Sequence, residues 1–292
     1  MTREIGPQYD PDDPFKAAAR LHQSSYRAKV LDVEYSDYGN RLTDADGRAL
    51  LNYYDGLSVR EALRRRYPQY SKRRDADLLR SEHIPFNMLA PLAGRPALTR
   101  MIIKDAFEEK LEGPFELKLE WAPEPKRNYL DDMTSFDAYL QGFGDDGELV
   151  GIGVEVKCTE RGYGIKESEA ERVRDPGSIY WTITHKAGIF TDRELRNLAE
   201  DDLRQVWRNH LLGLAMVCRG DIARFVSLTL YPSGNIHFTR VLEKYQGYLK
   251  DSSRNSVYGC TFERFIECIH GDDDIERWKR FLKERYLFEH IA

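Results

Sequence analysis

The sequence predicts an α/β fold, and three segments carry that prediction. Residues 133–158 alternate and then become apolar on either side of a Gly-Asp-Asp-Gly block, which is typical of a β-hairpin. Residues 201–218 carry an apolar stripe at helical spacing. Residues 225–232 have the β-branched and aromatic composition of a strand that would complete the core sheet. We therefore expect strands and helices to share one core.

The two strands of the hairpin have different patterns. In the first strand, the apolar residues Phe136, Ala138 and Leu140 fall on one face, and Ser135, Asp137 and Tyr139 fall on the other. The second, residues 149–158, is apolar almost throughout, which suits burial on both faces. Its exceptions are Glu155 and Lys157, which share a face because side chains two apart do so. Since unpaired charges are costly to bury, we expect them either to pair with each other and with Asp137, or to face solvent and a ligand.

These three charged residues predict a particular chemistry. Two carboxylates and a lysine placed in this way can hold a divalent cation beside a phosphodiester and activate a water molecule. The alternative is a solvated cross-strand ion pair, which is the commoner role of a Glu-x-Lys triplet on a strand. The metal site is favoured because the turn pairs the strand of Asp137 with that of Glu155, and because the second strand is otherwise apolar.

The pattern of Asp137, Glu155 and Lys157 resembles the PD-(D/E)xK phosphodiesterase superfamily, the fold of many restriction endonucleases. Phe136 stands where the proline of that motif would be. The resemblance implies a restriction endonuclease-like core, in which a mixed central β-sheet is flanked by helices in the order α-β-β-β-α-β. Residues 114–121 would form its first strand, and helical additions would lie at both ends of the chain.

The resemblance also implies roles for two flanking segments. Residues 75–92 are predicted to form a helix, and Glu82 matches a glutamate that such a helix often offers to the metal site. His83 is better interpreted as a hydrogen-bonded packing residue than as a catalyst. Gln205 matches a glutamine that the later helix presents to the site, and Arg208 could hold a phosphate bidentately. The alternatives are a surface charge for Glu82 and a polar helix edge for the other two.

The implied cofactor is Mg²⁺, for which Mn²⁺ could substitute. Asp137, Glu155 and the backbone carbonyl of Val156 would be its protein ligands, with Glu82 binding a second ion or acting through water. Lys157 would position or deprotonate the attacking water and stabilise developing charge. The sequence has no Cys/His cluster with zinc-ligand spacing, so a hard, oxygen-ligated cation is preferred. The predicted catalytic residues are Asp137, Glu155, Lys157, Glu82 and Gln205.

Composition sets the outer limits of the prediction. The 292 residues are 41% hydrophobic and 32% charged, as in a soluble globular protein. No run approaches the roughly 18 apolar residues of a membrane span, and the first residues lack an apolar signal region. The four cysteines show no CxxC spacing, which predicts reduced thiols and a cytoplasmic location.

The distribution of charge is more informative than its sum of −5. Between positions 60 and 80, eight basic residues stand against three acidic ones, with Tyr67 and Tyr70 interleaved. Such a run could follow a phosphate backbone, and a solvated helix face is an equally good interpretation. The predicted nucleic-acid-binding residues are Arg64, Arg65, Lys72, Arg73 and Arg208.

The expected organisation has three parts. Residues 1–74 would be a helical and β extension that is a candidate for substrate contact, residues 75–245 the nuclease-like core, and residues 246–292 two packed C-terminal helices. In the extension, Asp13 is expected to cap a helix that runs to about Val30.

Two further segments have specific expectations. Residues 43–47 are expected to form a turn. Residues 159–200 are expected to be a turn-rich loop that grips or selects substrate.

The sequence therefore predicts a Mg²⁺-dependent endodeoxyribonuclease, restriction-like, with double-stranded DNA as its partner. A structure-selective repair nuclease or an RNase would use the same site. A catalytically inactive nucleic-acid-binding or assembly protein is the alternative outside enzymes, and the intact Asp/Glu/Lys set argues against it. A homodimer is a candidate assembly.

Overall fold

A five-stranded sheet lies at the centre of the computed structural model, which describes residues 3–160 and 167–288. The strands lie side by side in sequence order: β1 (Glu112–Trp121), β2 (Phe136–Phe143), β3 (Leu149–Val156), β4 (Arg224–Tyr231) and β5 (Val257–Thr261). The first three strands pair antiparallel, whereas β4 is parallel to β3 and β5 is parallel to β4. The sheet is mixed, so the fold class implied by the resemblance is confirmed.

Helices of the described residues cover both faces of this sheet. They are α1 (Pro14–Tyr26), α2 (Asp44–Arg48), α3 (Val59–Arg66), α4 (Ile84–Leu89), α5 (Pro96–Asp105), α6 (Glu167–Arg174), α7 (Ile179–Ala187), α8 (Asp201–Arg219), α9 (Ile236–Gln246), α10 (Phe262–Glu267) and α11 (Asp273–Tyr286). None of them is long and apolar enough to cross a membrane.

The predicted hairpin is present, with one difference in its side-chain arrangement. Phe143 pairs with Leu149 across a tight connection in which Gly147 adopts a φ of 73°, a conformation that glycine tolerates best. Ala138 and Leu140 pack on one face of the sheet. The ring of Phe136 instead packs with Tyr139 on the other face, so the predicted grouping of Phe136 with Ala138 is wrong. Phe136 lies beyond Ala138–Val154, the last pair between β2 and β3 at this end, so that ladder does not fix its orientation.

The connection from β3 to β4 positions the long helix α8. Parallel strands need a crossover of a dozen residues or more, and α6, α7 and α8 form this one. The prediction of a turn-rich loop over residues 159–200 is therefore wrong for most of that segment, although residues 161–166 lie outside the described part. Helix α8 packs closely on β4, since a Cβ atom at Gly213 would lie 2.1 Å from the ring of Phe225. This close approach brings the first turns of α8 over the end of β3.

The predicted helix over residues 75–92 is wrong. The backbone there forms a π-helical turn (Lys72–Ala76), a 3₁₀ turn (Ser81–His83), α4 and a second 3₁₀ turn (Ala90–Leu92). Two causes act together. Asp77 forms a β-bridge with Arg41, which takes its backbone out of any helix. Pro85 lies in the first turn of α4, where its missing N–H leaves no helical hydrogen bond unmade, so a new helix begins here.

Smaller differences occur in the N-terminal part. Asp13 caps α1 as predicted, accepting a hydrogen bond from Lys16 N at 3.0 Å, but the α-helix ends at Tyr26 and a π-helical turn continues to Leu31. The expected turn over residues 43–47 is instead the start of α2, which Thr43 caps through its side-chain oxygen.

The two ends of the described chain pack together. Gln23 Nε2 donates to the carbonyl of Arg285 at 2.8 Å, and Arg285 Nη2 donates to Asn52 Oδ1 at 2.8 Å. Trp278 Nε1 donates to the carbonyl of Asn87 at 2.7 Å. These contacts connect α11 with both N-terminal segments and the central region, while the division into three parts stays a prediction.

Candidate active site

Two acidic residues lie across the β2–β3 pair at its open end. One register step beyond the Ala138–Val154 pair places Asp137 opposite Glu155. Asp137 Oδ2 accepts a hydrogen bond from the backbone N–H of Val156, with the two atoms 2.6 Å apart. The carboxylate of Asp137 therefore takes the place of a backbone acceptor at the end of β3. This hydrogen bond holds the Asp137 side chain beside Glu155.

Glu155 is bound by three side chains. Its Oε1 atom lies 2.6 Å from Lys157 Nζ and 2.7 Å from Gln205 Nε2, and its Oε2 atom lies 2.8 Å from Asn209 Nδ2. Lys157 is fully buried, and the side chain of Glu155 is 13% exposed. A buried lysine so close to a carboxylate is a charge-assisted contact. Each oxygen of Glu155 keeps lone-pair capacity for a further partner.

Helix α8 can reach Glu155 for local reasons. Gln205 and Asn209 are four residues apart, so they occupy the same helix face. On the side of β3 that faces α8, Glu155 follows Gly153, where a Cβ atom would lie 2.6 Å from Phe136 and 2.7 Å from Phe225. The space that a side chain would need at Gly153 is filled by these rings. The helix therefore packs closely against β3 at Gly153, and its first turns lie beside the carboxylate of Glu155.

A third carboxylate, Glu120, was not predicted from the sequence. It lies on β1 between Leu119 and Trp121, whose pairing with β2 places Glu120 opposite Asp137. Its Oε2 atom accepts a hydrogen bond from Tyr67 at 3.1 Å. Its φ of 49° is uncommon for a residue with a side chain, and such outliers concentrate at functional sites.

Two of the acidic residues, Asp137 and Glu120, have a raised pKa. Burial raises the pKa of Asp137 well above its usual value, and the charges of Glu155 and Glu120 raise it further, against the lowering effect of Lys157. Burial also raises the pKa of Glu120 to about 7, and the charges of Glu155 and Glu82 act in the same direction. The row of three carboxylates therefore has too little positive charge around it, which is the electrostatic setting that a bound cation would correct.

The signal that could have identified Glu120 was present in the sequence. Residues 114–121 alternate, so Glu116, Lys118 and Glu120 share the face opposite Leu117 and Leu119. Which of the three lies in line with Asp137 depends on the register of β1 against β2. Alternation alone does not define that register, so the residue could be found only by testing each register in turn.

A cavity of about 230 Å³ opens over Asp137 and Glu155. Its walls include Ser135, Asp137, Glu155, Gln205 and Asn209. Gln205 Oε1 is buried and has no hydrogen-bond donor among the described residues. The cavity therefore presents carboxylate oxygens together with an amide oxygen that lacks a partner.

Glu82 does not line this cavity, although its charge reaches Glu120. It forms an ion pair with Arg73 at 3.0 Å, and its side chain is 40% exposed. His83 beside it is completely buried and stacks on Tyr286. Burial lowers the pKa of His83 well below its usual value, and neither ring nitrogen has a hydrogen-bond partner among the described residues. His83 is thus a packing residue, without the hydrogen bond that we expected.

Arg208 lines the cavity but is already paired. Its Nη2 atom lies 2.8 Å from Asp132 Oδ2 and 2.9 Å from Thr134 Oγ1, and it also pairs with Glu169. Asp132 in turn accepts a hydrogen bond from Tyr180 at 2.7 Å. The guanidinium therefore connects α8 with α6, α7 and the segment before β2.

The other four predicted nucleic-acid-binding residues lie in two places. Arg64 and Arg65 are exposed on α3, and Arg65 lines a cavity beside β1. Lys72 and Arg73 line a separate cavity of about 310 Å³ and pair with Asp37 and Glu82. The basic run of the sequence therefore does not form one continuous surface.

The donor set fits a hard divalent cation. Among residues 3–160 and 167–288, no three Asp, Glu, His or Cys side chains are arranged to hold a metal ion by themselves. The set that is present consists of the oxygens of Asp137 and Glu155 and the unpartnered Oε1 of Gln205. Oxygen ligands in small number, with room for water, match the preference of Mg²⁺. The carbonyl of Val156 stays a predicted ligand.

A mixed sheet with carboxylates on two adjacent strands and a lysine after the second defines a restriction endonuclease-like α/β fold. A family model described as PD-(D/E)XK nuclease superfamily matches residues 10–288, and the chain belongs to that superfamily. Membership implies a nuclease that acts on a nucleic acid, and nucleases of this superfamily generally use divalent metal ions. Searches of curated proteins and of solved structures gave no match.

Proposed function

We propose that the protein is a Mg²⁺-dependent endodeoxyribonuclease whose catalytic residues are Asp137, Glu155 and Lys157, with Mn²⁺ as a substitute ion. One observation carries the proposal. Lys157 Nζ, directly after the strand paired with that of Asp137, lies 2.6 Å from Glu155 Oε1, and Glu155 and Asp137 line a cavity of about 230 Å³. A buried lysine and buried carboxylates are costly in a fold that does not use them, since burying charge carries a penalty that pairing offsets only in part.

Each residue has a defined task in this proposal. Asp137 and Glu155 would hold the cation, which supplies Lewis-acid stabilisation of the phosphate and an acidified water. Lys157 orients the attacking water and stabilises negative charge on the scissile phosphate from a fixed position. Gln205 and Asn209 hold Glu155 in its orientation, as partners of ligating groups do in metal sites. Glu82 stays a proposed contributor through water or a second ion.

The finer features of the function are also proposals. Double-stranded DNA is the proposed partner, with a structure-selective repair nuclease or an RNase as the alternative that the same residues allow. A cytoplasmic location and a homodimer are proposed from the sequence alone. The basic side chains on α3 and those beside Arg41 support contact with phosphates on two surfaces.

The test compares wild type with Asp137→Asn and Lys157→Ala on supercoiled plasmid, with Mg²⁺, with Mn²⁺ and with EDTA. The matched control is Asp202→Asn, which changes an exposed carboxylate on the same helix as Gln205. We expect nicking or linearisation with Mg²⁺ and Mn²⁺, none with EDTA, and loss of about two orders of magnitude or more in the two site variants.

Two outcomes would contradict the proposal. Cleavage that persists in EDTA, or that survives in Lys157→Ala as in Asp202→Asn, would exclude this site. Binding of DNA without cleavage under any metal condition, together with calorimetry that detects no Mg²⁺ or Mn²⁺ binding, would favour an inactive binding protein. Cleavage of RNA but not of plasmid would support the same catalytic residues and would make RNA the substrate.

A further inference from the structure

A groove of about 720 Å³ runs along the free edge of β1, between that strand and α3. We call it the β1 groove. Its lining includes Glu120, and it shares Met133 and Ser135 with the cavity over Asp137 and Glu155. The groove and the candidate active site are therefore continuous.

The charge of the β1 groove is opposite to that of the whole protein. Four cationic side chains line it, and two acidic ones: Arg65, Arg66, Lys118 and Lys126 against Glu120 and Glu124. The complete chain carries a net charge of −5. Among the described residues, neither Arg65 nor Lys126 forms an ion pair; Lys126 Nζ lies 3.4 Å from Met133 Sδ. These two cations are available to an anionic ligand.

The groove also offers a surface for stacking. All four tryptophans lie in the described residues, and Trp121, which lines the groove, is the one that is not buried. One side of its ring packs on Tyr139 at a centroid distance of 4.6 Å, and Lys118 Nζ lies 4.5 Å from the ring centroid. Met133, at the junction with the active site, is 80% exposed. Lys118 also pairs with Glu116 at 3.1 Å. A flat aromatic ring next to a cation suits a base with its phosphate.

We propose that the β1 groove binds one or two unpaired nucleotides of the substrate strand next to the scissile phosphate. A base stacks on Trp121, Lys118 moves from the ring to a phosphate, and Arg65 and Lys126 pair with neighbouring phosphates. A volume of 720 Å³ is in the range of small-ligand pockets, about 300–1,000 Å³, and is too small for a double helix. The inference rests on the proposed function and adds to it that the strand is unpaired where it is cut.

Tryptophan fluorescence tests the proposal without catalysis. The full chain in EDTA is titrated with an eight-nucleotide oligo(dT), an eight-nucleotide oligo(rU) and a blunt hairpin duplex, and the affinity is measured in parallel by anisotropy of labelled oligonucleotides. We expect an unpaired strand to quench the emission and to bind more tightly than the duplex. Preference for dT or for rU identifies DNA or RNA as the source of the strand, and either supports the groove.

Variants separate stacking from charge. Trp121→Phe keeps an aromatic ring, so it should retain binding within a few-fold and lose the quenching. Trp121→Ala should weaken binding about five- to a hundredfold. Arg65→Glu and Lys126→Glu should each weaken it about tenfold and reduce the salt dependence by about one phosphate contact. The control is Lys283→Glu, an exposed lysine on α11 that lines none of the cavities described above.

Several results would overturn the proposal. These are equal binding of duplex and single strands, quenching that persists in Trp121→Phe, and affinities of Arg65→Glu and Lys126→Glu that equal that of Lys283→Glu. The groove alone would be rejected if Asp137→Asn abolished plasmid cleavage while the groove variants bound oligonucleotides as tightly as wild type. Groove binding with no cleavage of any substrate would reject the nuclease proposal alone.

Discussion

Gln205 Nε2 lies 2.7 Å from Glu155 Oε1, although fifty residues separate them in the chain. Asn209, one turn further along α8, holds the other oxygen at 2.8 Å. The helix that crosses between the parallel strands β3 and β4 therefore fixes the orientation of the carboxylate at the end of β3. The fold thus defines the site through contacts between elements that are distant in sequence.

Removing the amide of Gln205 should weaken metal binding while the fold is kept. In Gln205→Ala, Glu155 keeps Lys157 and Asn209 but loses one donor and gains freedom to rotate. We expect the Mg²⁺ concentration for half-maximal cleavage to rise about ten- to a hundredfold, as with other partners of metal ligands. The measurement is a cleavage assay over a Mg²⁺ series, with Gln246→Ala on α9 as the control. An unchanged Mg²⁺ requirement would contradict the role of Gln205.

Neutralising Asp137 should separate activity from stability. Asn at position 137 can still accept the hydrogen bond from Val156 N–H, but it no longer repels Glu155 and Glu120. We expect cleavage to be lost, and the free energy of unfolding in EDTA at pH 8 to be unchanged or higher by about 0.2–1 kcal/mol, the scale of like-charged cross-strand pairs. Urea unfolding of wild type, Asp137→Asn and Asp202→Asn measures this. A clear loss of stability in Asp137→Asn alone would mean that its charge stabilises the fold.

Arg208 should contribute mainly to stability. Its side chain is 13% exposed and that of Asp132 is 6% exposed, so the Arg208→Ala variant would leave a buried carboxylate without its cation. Breaking one side of such a pair costs about 3–5 kcal/mol. Denaturant unfolding tests this, and Arg219→Ala on the same helix is the matched control, because the side chains of Arg219 and its partner Asp221 are 42% and 36% exposed. If Arg208→Ala instead weakens DNA binding at unchanged stability, the arginine is a phosphate contact, as the sequence suggested.

The two outlying glutamates can be compared directly. Glu120 lies in line with Asp137 and bonds to Tyr67, whereas Glu82 pairs with Arg73 at the surface. We expect Glu120→Gln to raise the Mg²⁺ requirement about tenfold or more, and Glu82→Gln to change it less, because partners that contact the site affect it most. Tyr67→Phe should have a smaller effect in the same direction as Glu120→Gln. If Glu82→Gln raised the Mg²⁺ requirement more than Glu120→Gln, Glu82 would be the additional acidic residue of the site.

His210 should make stability depend on pH below neutrality. Burial lowers its pKa to about 3 from an ordinary 6.5, and its partners are the neutral groups Tyr245 and Ser256. Between these two values the unfolded chain binds a proton that the folded chain does not, so stability falls as the pH decreases through this range. One proton corresponds to about 1.4 kcal/mol per pH unit.

The measurement is the slope of the unfolding free energy against pH between 6 and 4.5. In His210→Leu the slope should be flatter than in wild type by up to that amount. The exposed His270 provides the control substitution, His270→Leu. If both variants have the same slope as wild type, the imidazole of His210 takes up a proton in the folded protein.

Local patterns were sufficient for much of the core. The hairpin of β2 and β3, helix α8 and strand β4 lie within three residues of the predicted bounds, because alternation, an Asp-Gly turn and a helical apolar stripe are properties of short segments. The prediction over residues 75–92 was wrong because a bridge from Asp77 to Arg41, 36 residues away, overrides the local preference. Strand β5 and helix α9 were missed. Strand β5 has only five residues, and its parallel partner β4 is far away in the sequence.

The sequence by itself determined the class of fold, the superfamily resemblance and the placing of Asp137, Glu155 and Lys157 on paired strands. These follow from spacing along one hairpin, where each side chain's face depends on its position alone. Tertiary structure decided the rest. The register of β1 brought Glu120 opposite Asp137, and the approach of α8 gave Glu155 its two amide partners. The same packing paired Arg208, in the wall of the cavity, with Asp132 and Glu169. Such contacts join segments whose relative position is fixed only when the whole core packs, so short-range sequence patterns do not predict them.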